Sequence, residues 1–152
     1  MKNIFTFLLL ILLFSVNAHN QKNQPVKIDS EISIFRDTLT LKIDFSVQDD
    51  WMVYDSLGGE EGPIPISFNN SSILNLEFIK VTKPKTKHKY DDIFEVDLWY
   101  FTNAVTYELS YKIINLKGPV SGTVLLEYMS CNLISGVCLP PKLVDIPITM
   151  PF

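Results

Sequence analysis

Apolar and polar residues alternate along most of the chain beyond residue 28, with a period of two rather than the 3.6 expected for a helix. The clearest alternation sets five apolar residues between polar neighbours: Leu39, Leu41, Ile43, Phe45 and Val47. The same pattern returns from Val105 to Ile113. Because successive side chains of a strand point to opposite faces of a sheet, both segments are predicted to be strands with one buried face.

Weaker segments of the same kind occupy much of the remaining chain: 28–35, 51–54, 64–68, 74–81, 93–101, 120–128 and 143–148. Turn-forming residues separate them, for example Gly58-Gly59 and Lys117-Gly118-Pro119. About nine short strands with proline in the connections predict an all-β fold, an antiparallel two-sheet sandwich of immunoglobulin type. A β-barrel is the alternative arrangement of the same strands.

The amino-terminal residues break this pattern. Lys2 is followed by the apolar run 4–14 and then by small residues ending at Ala18, which is the layout of a secretory signal peptide. The run is shorter than the roughly 20 apolar residues that a membrane-spanning helix needs. We therefore expect residues 1–18 to be a signal peptide and residues 19–152 to be an exported, soluble domain that does not span the membrane. An uncleaved amino-terminal membrane anchor is the alternative.

The composition is that of a folded globular protein, with 152 residues of which 47% are hydrophobic and 20% charged. This length predicts one domain, which can bury about two-thirds of its unfolded surface without a metal or a dense disulfide framework. Lys and Arg number 13 against 17 Asp and Glu, so the basic excess that drives phosphate-backbone binding is missing. We therefore expect no nucleic-acid partner, and the two cysteines require an explanation of their own.

A basic run surrounds Pro84 and consists of Lys80, Lys83, Lys85, Lys87, His88 and Lys89. Lysines beside a proline are typical of a protected sheet edge, and a patch for docking a partner is the alternative.

The two histidines, His19 and His88, have no cysteine or carboxylate at ligand spacing and no serine in a nucleophile motif. We therefore expect neither a metal site nor hydrolase chemistry.

The two cysteines, Cys131 and Cys138, are separated by six residues that include Gly136. A loop this short can bring two cysteines within disulfide distance, and an exported protein meets an oxidising compartment. Closing the loop removes only about 2 to 3 kcal/mol of unfolded-chain entropy, which a sandwich of this size hardly requires. The pair follows a predicted strand at an accessible end of the sandwich, and Pro140-Pro141 stiffens the exit. A structural bond and an exchanging bond both remain open on these grounds.

Two motifs flank this loop: Tyr-x-x-Cys, from Tyr128 to Cys131, and Cys-x-Pro-Pro, from Cys138 to Pro141. In these motifs the chain resembles the amino-terminal periplasmic domain of the DsbD thiol:disulfide interchange proteins, an immunoglobulin-like domain with a redox cysteine pair. Three further segments share the resemblance: 51–54, 62–68 and 144–148. The loop departs from the family pattern, because six residues separate the cysteines where the best-known members have five.

The resemblance implies a redox shuttle without a cofactor, a component of protein-disulfide reductase type in the periplasm. Such a domain takes electrons from a thioredoxin-like donor and passes them to exported disulfide proteins, with Cys138 forming the intermolecular bond and Cys131 resolving it. Full-length members continue into a membrane electron-transfer domain and a thioredoxin-like domain. Because this chain ends at Phe152, we expect its partners, including a separate membrane electron carrier, on other polypeptides. A non-catalytic binding or structural sandwich, in which the disulfide only staples a hairpin, is the alternative.

The resemblance also implies a cap loop that shields the cysteines. The matching stretch is 90–94, with Phe94 as the expected lid and Tyr90 beside it. Tyr128 and Pro140 are the other residues expected around the pair. Ordinary packing in the core or along a strand edge is the alternative for Phe94 and Tyr90.

Overall fold

The structure is a computed structural model that describes residues 24–115 and 117–150. The predicted signal peptide 1–18 and His19 lie outside these residues. The described chain is all β, and it contains no helix long and apolar enough to cross a membrane. Its eleven strands are β1 Val26–Phe35, β2 Thr38–Val47, β3 Trp51–Leu57, β4 Ser67–Leu74, β5 Leu76–Thr82, β6 Lys87–Asp91, β7 Val96–Phe101, β8 Val105–Ile113, β9 Val120–Tyr128, β10 Ser130–Asn132 and β11 Lys142–Met150.

The described strands form three sheets in which every pairing is antiparallel. The first sheet has the order β1-β2-β8-β5, the second β10-β3-β7-β6 and the third β11-β9-β4. One core joins them, since the ring of Phe45 in β2 lies 5.6 Å from that of Phe101 in β7 and 6.0 Å from that of Tyr128 in β9. The predicted antiparallel sandwich of immunoglobulin type is confirmed, but the described strands divide into three sheets instead of the expected two. They do not close into the single sheet of the barrel alternative.

Alternation in the sequence correctly predicts the strands that build the main core. In β2 the alternate residues Leu39, Leu41, Ile43 and Phe45 are fully buried. Among the residues of β8 that face them, Tyr107, Leu109 and Tyr111 are also buried. Burying each such side chain contributes about 1.5 to 3 kcal/mol, so these two central strands carry much of the stability of the fold.

The strand count differs from the expected nine for local reasons. β6 lies in the lysine-rich run, where charged side chains hide the alternation, and it forms one edge of the second sheet, as the edge interpretation of that run predicts. β7 begins only at Val96, because residues 92–95 form a turn in which Glu95 has a φ of 55°. The predicted strand 74–81 is interrupted at Asn75, whose φ of 61° separates β4 from β5.

The second sheet is buried on both faces near its centre. Val53 and Phe101 point into the main core. A separate cluster lies on the opposite face of the same sheet, which we call the outer face, and contains Met52, Tyr54, Leu98 and Cys131. We call these four residues the outer cluster. The chain reaches it by leaving β9 at Tyr128 and entering β10 two residues later, which brings the first cysteine beside β3.

Candidate functional site

Cys131 and Cys138 form a disulfide with their Cα atoms 4.0 Å apart. They face each other as an antiparallel pair. On one side the Asn132 amide donates to the Val137 carbonyl at 2.8 Å, and on the other the Leu139 amide donates to the Ser130 carbonyl at 2.9 Å. The cysteines therefore occupy the non-hydrogen-bonded position between these bonds, where cross-strand side chains approach most closely.

The loop between the cysteines is organised by the side chain of Asn132. Its Oδ1 accepts hydrogen bonds from the Ile134 amide at 3.0 Å, the Ser135 amide at 2.9 Å and the Ser135 hydroxyl at 3.1 Å. Gly136 has a φ of 71°, a conformation that favours glycine, and its amide donates to the Asn132 carbonyl at 2.9 Å. Asparagine commonly closes turns in this way, so backbone and side-chain hydrogen bonds hold the loop shut independently of the disulfide.

The two cysteines differ sharply in exposure. Cys131 is 1% exposed, because it belongs to the outer cluster and pairs with Met52 of β3. Cys138 is exposed. A molecule arriving from solvent therefore meets Cys138 first.

Exposed apolar residues lie on both sides of Cys138 in the sequence. Pro140, which the sequence places in the site, is exposed directly beyond Leu139, whereas the side chain of Tyr128 is buried in the main core. The exposed apolar side chains of this segment are Leu133, Ile134, Val137 and Leu139. Several exposed apolar side chains within one short segment are typical of a surface that contacts another protein.

Of the expected cap residues, Phe94 lies in the turn between β6 and β7 and Tyr90 lies in β6 just before it. Oδ1 of Asp91 accepts hydrogen bonds from the amides of Ile93 at 3.1 Å and Phe94 at 3.2 Å, which makes the turn compact. Gly62 lies against this turn with a φ of 134°; a Cβ there would stand 3.9 Å from the Phe94 ring and 3.7 Å from Val96. Phe94 is thus half-exposed and packed at the far end of the outer face.

Strand register relates this turn to the disulfide. Cys131 pairs with Met52, and Leu57, five residues further along β3 or roughly 16 Å at about 3.3 Å per residue, pairs with Leu98. The turn 92–95 lies beyond this pair, three residues before Leu98. Tyr54 is buried between them, and burial followed by the negative charge of Asp91 raises the pKa of its hydroxyl to about 12. The outer cluster is therefore continuous from the disulfide towards the turn.

Tyr90 has a different position from Phe94. It pairs with Asp97, whereas its neighbour Lys89 pairs with Leu98 of the outer cluster. Because neighbouring residues of a strand point to opposite faces, Tyr90 points away from the outer face. The structure therefore brings Cys131, Cys138 and Phe94 to one face of the second sheet and leaves Tyr90 on the other.

The family model described as thiol:disulfide interchange protein DsbD, N-terminal, matches residues 20–148. The chain belongs to this family. It is similar to the DsbD N-terminal domain of Neisseria meningitidis in the reduced form, with 17% identity, 81% of this chain and 85% of that chain covered, and a TM-score of 0.49. It is also similar to a chain in the complex between the DsbD N-terminal and PilB N-terminal domains of Neisseria meningitidis, with 15% identity, coverages of 86% and 88%, and a TM-score of 0.48. No curated protein matches the chain.

In this DsbD N-terminal family member the disulfide is the group with evident chemistry. Residues 24–115 and 117–150 contain no cluster of His, Cys, Asp and Glu that could hold a metal ion. A disulfide with one exposed cysteine can be attacked by a thiolate at the exposed sulfur, with the other sulfur as leaving group. The arrangement therefore supports thiol–disulfide exchange.

One polar group that the sequence analysis did not single out is Asp55, which is 5% exposed beside a bulge in β3. It accepts hydrogen bonds from the hydroxyls of Tyr107 and of Ser56, and Lys83 lies 3.3 Å away. Burial, this hydrogen bond and the carboxylate charge all raise the pKa of Tyr107. The Asp55 carboxylate thus accepts the hydrogen bond of the buried Tyr107 hydroxyl. Its signal in the sequence is a lone acidic residue directly after the apolar segment 51–54.

Proposed function

We propose that the chain is an exported thiol–disulfide exchange domain that passes two electrons from a reduced thioredoxin-like donor to exported disulfide proteins. The proposed domain is 19–152 after removal of the signal peptide 1–18, and its place is the periplasm. The observation that carries the proposal is the disulfide between a buried Cys131 and an exposed Cys138 in a segment with several exposed apolar residues.

In the first half-cycle a donor thiolate attacks Sγ of Cys138. The Cys131–Cys138 bond breaks, a bond between the donor and Cys138 forms, and Cys131 leaves as a thiolate that takes up a proton. The second donor thiolate then attacks the donor sulfur that is bonded to Cys138. This step releases Cys138 as a thiolate, which takes up a proton, and leaves the donor with an internal disulfide. The domain has gained two electrons and two protons.

In the second half-cycle the Cys138 thiolate attacks a client disulfide and forms a mixed disulfide, releasing one client sulfur as a thiolate. Cys131 then attacks Sγ of Cys138, which re-forms the internal disulfide and releases the client as a dithiol. Cys131 is held within bonding distance of Cys138 by the hydrogen bonds on either side of the pair, so this resolution is intramolecular and fast.

The same hydrogen bonds favour exchange over a purely structural role. A structural disulfide stabilises a loop that would otherwise open, but the hydrogen bonds of Asn132 and Gly136 already close this loop. Cys131 belongs to the outer cluster and is not among the residues of the main core. Breaking the disulfide therefore leaves the principal source of stability in place.

We propose further that the β6–β7 turn caps the outer face, with Phe94 as its apolar contact. Asp91 fixes the turn by accepting the amides of Ile93 and Phe94, and its charge acts on Tyr54, which lies between the turn and Cys131. A turn anchored in this way narrows the approach to the disulfide from the side of β7.

The test of the proposed function is direct reduction of the oxidised protein by a stoichiometric amount of reduced thioredoxin. Alkylation of new thiols followed by mass measurement should show two labelled cysteines per molecule, and fresh oxidised thioredoxin should remove them again. A protein that gains no label from thioredoxin while the thioredoxin remains active on insulin would contradict the proposal.

A further inference from the structure

Positive charge is concentrated on the edge strand of the second sheet. Lys87 and Lys89 of β6 pair with Tyr100 and Leu98, so both lie on the outer face together with the disulfide. Lys85 is exposed two residues before β6. We call Lys85, Lys87 and Lys89 the basic flank.

The two faces of β6 differ in charge. His88, between the two lysines, points to the opposite face and is bonded to Asp97 at 2.7 Å. On the outer face Lys87 donates to the neutral hydroxyl of Thr102 at 2.8 Å. Protection of a sheet edge needs lysines along the strand but no preference for one face, so the segregation requires a further explanation.

Most of this charge is not neutralised within the protein. Lys83 is paired with Asp55, and Lys89 lies 3.8 Å from Asp91. In the part of the chain that the structure describes, no carboxylate lies within ion-pair distance of Lys85 or Lys87. The chain as a whole has a net charge of -4, which makes the flank a local exception.

The basic flank lies within reach of a protein seated on Cys138. β6 and β10 are three strand spacings apart in the second sheet, about 14 Å at about 4.8 Å each. A typical partner covers about 800 Å² on each side, or roughly 30 Å across. The footprint of a protein docked on Cys138 can therefore include the positive charge of the basic flank.

We infer that the basic flank receives an acidic surface of a thioredoxin-like protein, beside the active-site cysteines of that protein, and so speeds and orients its encounter with Cys138. This inference rests on the proposed function. Complementary charge at the rim of an interface acts mainly on the association rate and weakens as salt screens it. The partner is thereby narrowed from any thioredoxin-like protein to one that is acidic on this side.

The test compares the variant K85E/K87E with the matched control K112E/K117E, whose lysines are also exposed but lie at the other end of the first sheet, away from the cysteines. Both variants change the net charge equally. The probe is a single-domain thioredoxin with Asp and Glu beside its active site, and a second form of it with those carboxylates changed to Lys. The measured quantity is the second-order rate of electron transfer in stopped flow.

With the acidic thioredoxin at low salt, K85E/K87E should react about threefold more slowly than the unchanged protein and the control variant, and the difference should vanish near 0.5 M salt, where screening is about 4 to 5 Å. With the lysine form the order should reverse. The rate with dithiothreitol, which is uncharged, should be the same for all three proteins.

Equal rates for K85E/K87E and the unchanged protein with both thioredoxins would overturn the inference and leave the exchange function standing. Equal slowing of both variants would also overturn it, since the effect would then be one of net charge. Flotation with anionic phospholipid vesicles gives a further outcome: binding that K85E/K87E abolishes, with exchange rates unchanged, would assign the flank to a membrane surface instead. An unchanged protein that reacts with dithiothreitol but with neither thioredoxin would contradict the proposed function itself.

Discussion

Replacement of Cys131 by Ala should leave a protein whose remaining thiol forms a stable mixed disulfide with a thioredoxin, at least about 100-fold faster than the Cys138→Ala variant does. The reason is access. The thiolate is the reacting species and must reach the partner sulfur, and Cys138 is exposed while Cys131 is 1% exposed beneath the hairpin and beside Met52. Without Cys131 nothing within the chain can resolve the bond that Cys138 makes.

The probe for this experiment is a thioredoxin that retains only its first active-site cysteine, activated with 2-nitro-5-thiobenzoate. Its own second cysteine then cannot release the trapped protein, and the coloured leaving group reports the rate. The double variant Cys131→Ala and Cys138→Ala is the blank, and β-type circular dichroism verifies that each variant is folded. Equal rates for the two single variants would remove the proposed roles of the cysteines while keeping exchange possible.

Replacement of Phe94 by Ala should raise the rate at which glutathione reduces the disulfide by about fivefold. Phe94 packs near Gly62 and Val96 at the end of the outer face, and its loss opens the side from which the β6–β7 turn limits approach. The global stability should change little, because the side chain is already 46% exposed, whereas removal of a fully buried Phe costs about 3 to 5 kcal/mol.

Tyr90→Ala is the matched control, since Tyr90 is 56% exposed in the same hairpin but lies on the opposite face. Its glutathione rate should equal that of the unchanged protein. If Tyr90→Ala accelerates the reaction and Phe94→Ala does not, the lid is Tyr90. If Phe94→Ala unfolds several kcal/mol more easily with an unchanged rate, Phe94 is a packing residue and the cap proposal fails.

The fold was predictable where one face of a strand is buried and the other is solvated. That condition holds for β2 and β8, where every second residue is apolar. It fails for β6, an edge strand in which Lys87, His88 and Lys89 are consecutive and charged or polar, so that pairing with β7 rather than hydrophobic periodicity defines the strand. It fails also for β10, because three residues are too few to show a period.

The cysteine pair was predictable from its spacing and its family motifs, but the difference between the two sulfurs was not. Burial of Cys131 results from pairing of β10 with β3, a contact between residues about 80 positions apart. The sequence also does not show on which face of the second sheet each cap residue lies, since a shift of one residue in the β6–β7 register exchanges the two faces. Asp55 was missed because its partner Tyr107 lies in another sheet, and neither residue shows by itself that they meet.

The central claim is that the Cys131–Cys138 bond exchanges in function instead of stapling a hairpin, and its reduction potential tests this most directly. The protein would be equilibrated with glutathione buffers of graded ratio, and the reduced fraction counted by alkylation and mass measurement. Exchange predicts a potential less negative than about -300 mV, within reach of thioredoxin-like partners, with the fold retained on both sides of the transition. A potential well below about -300 mV, or unfolding on reduction, would identify the bond as structural and contradict the account.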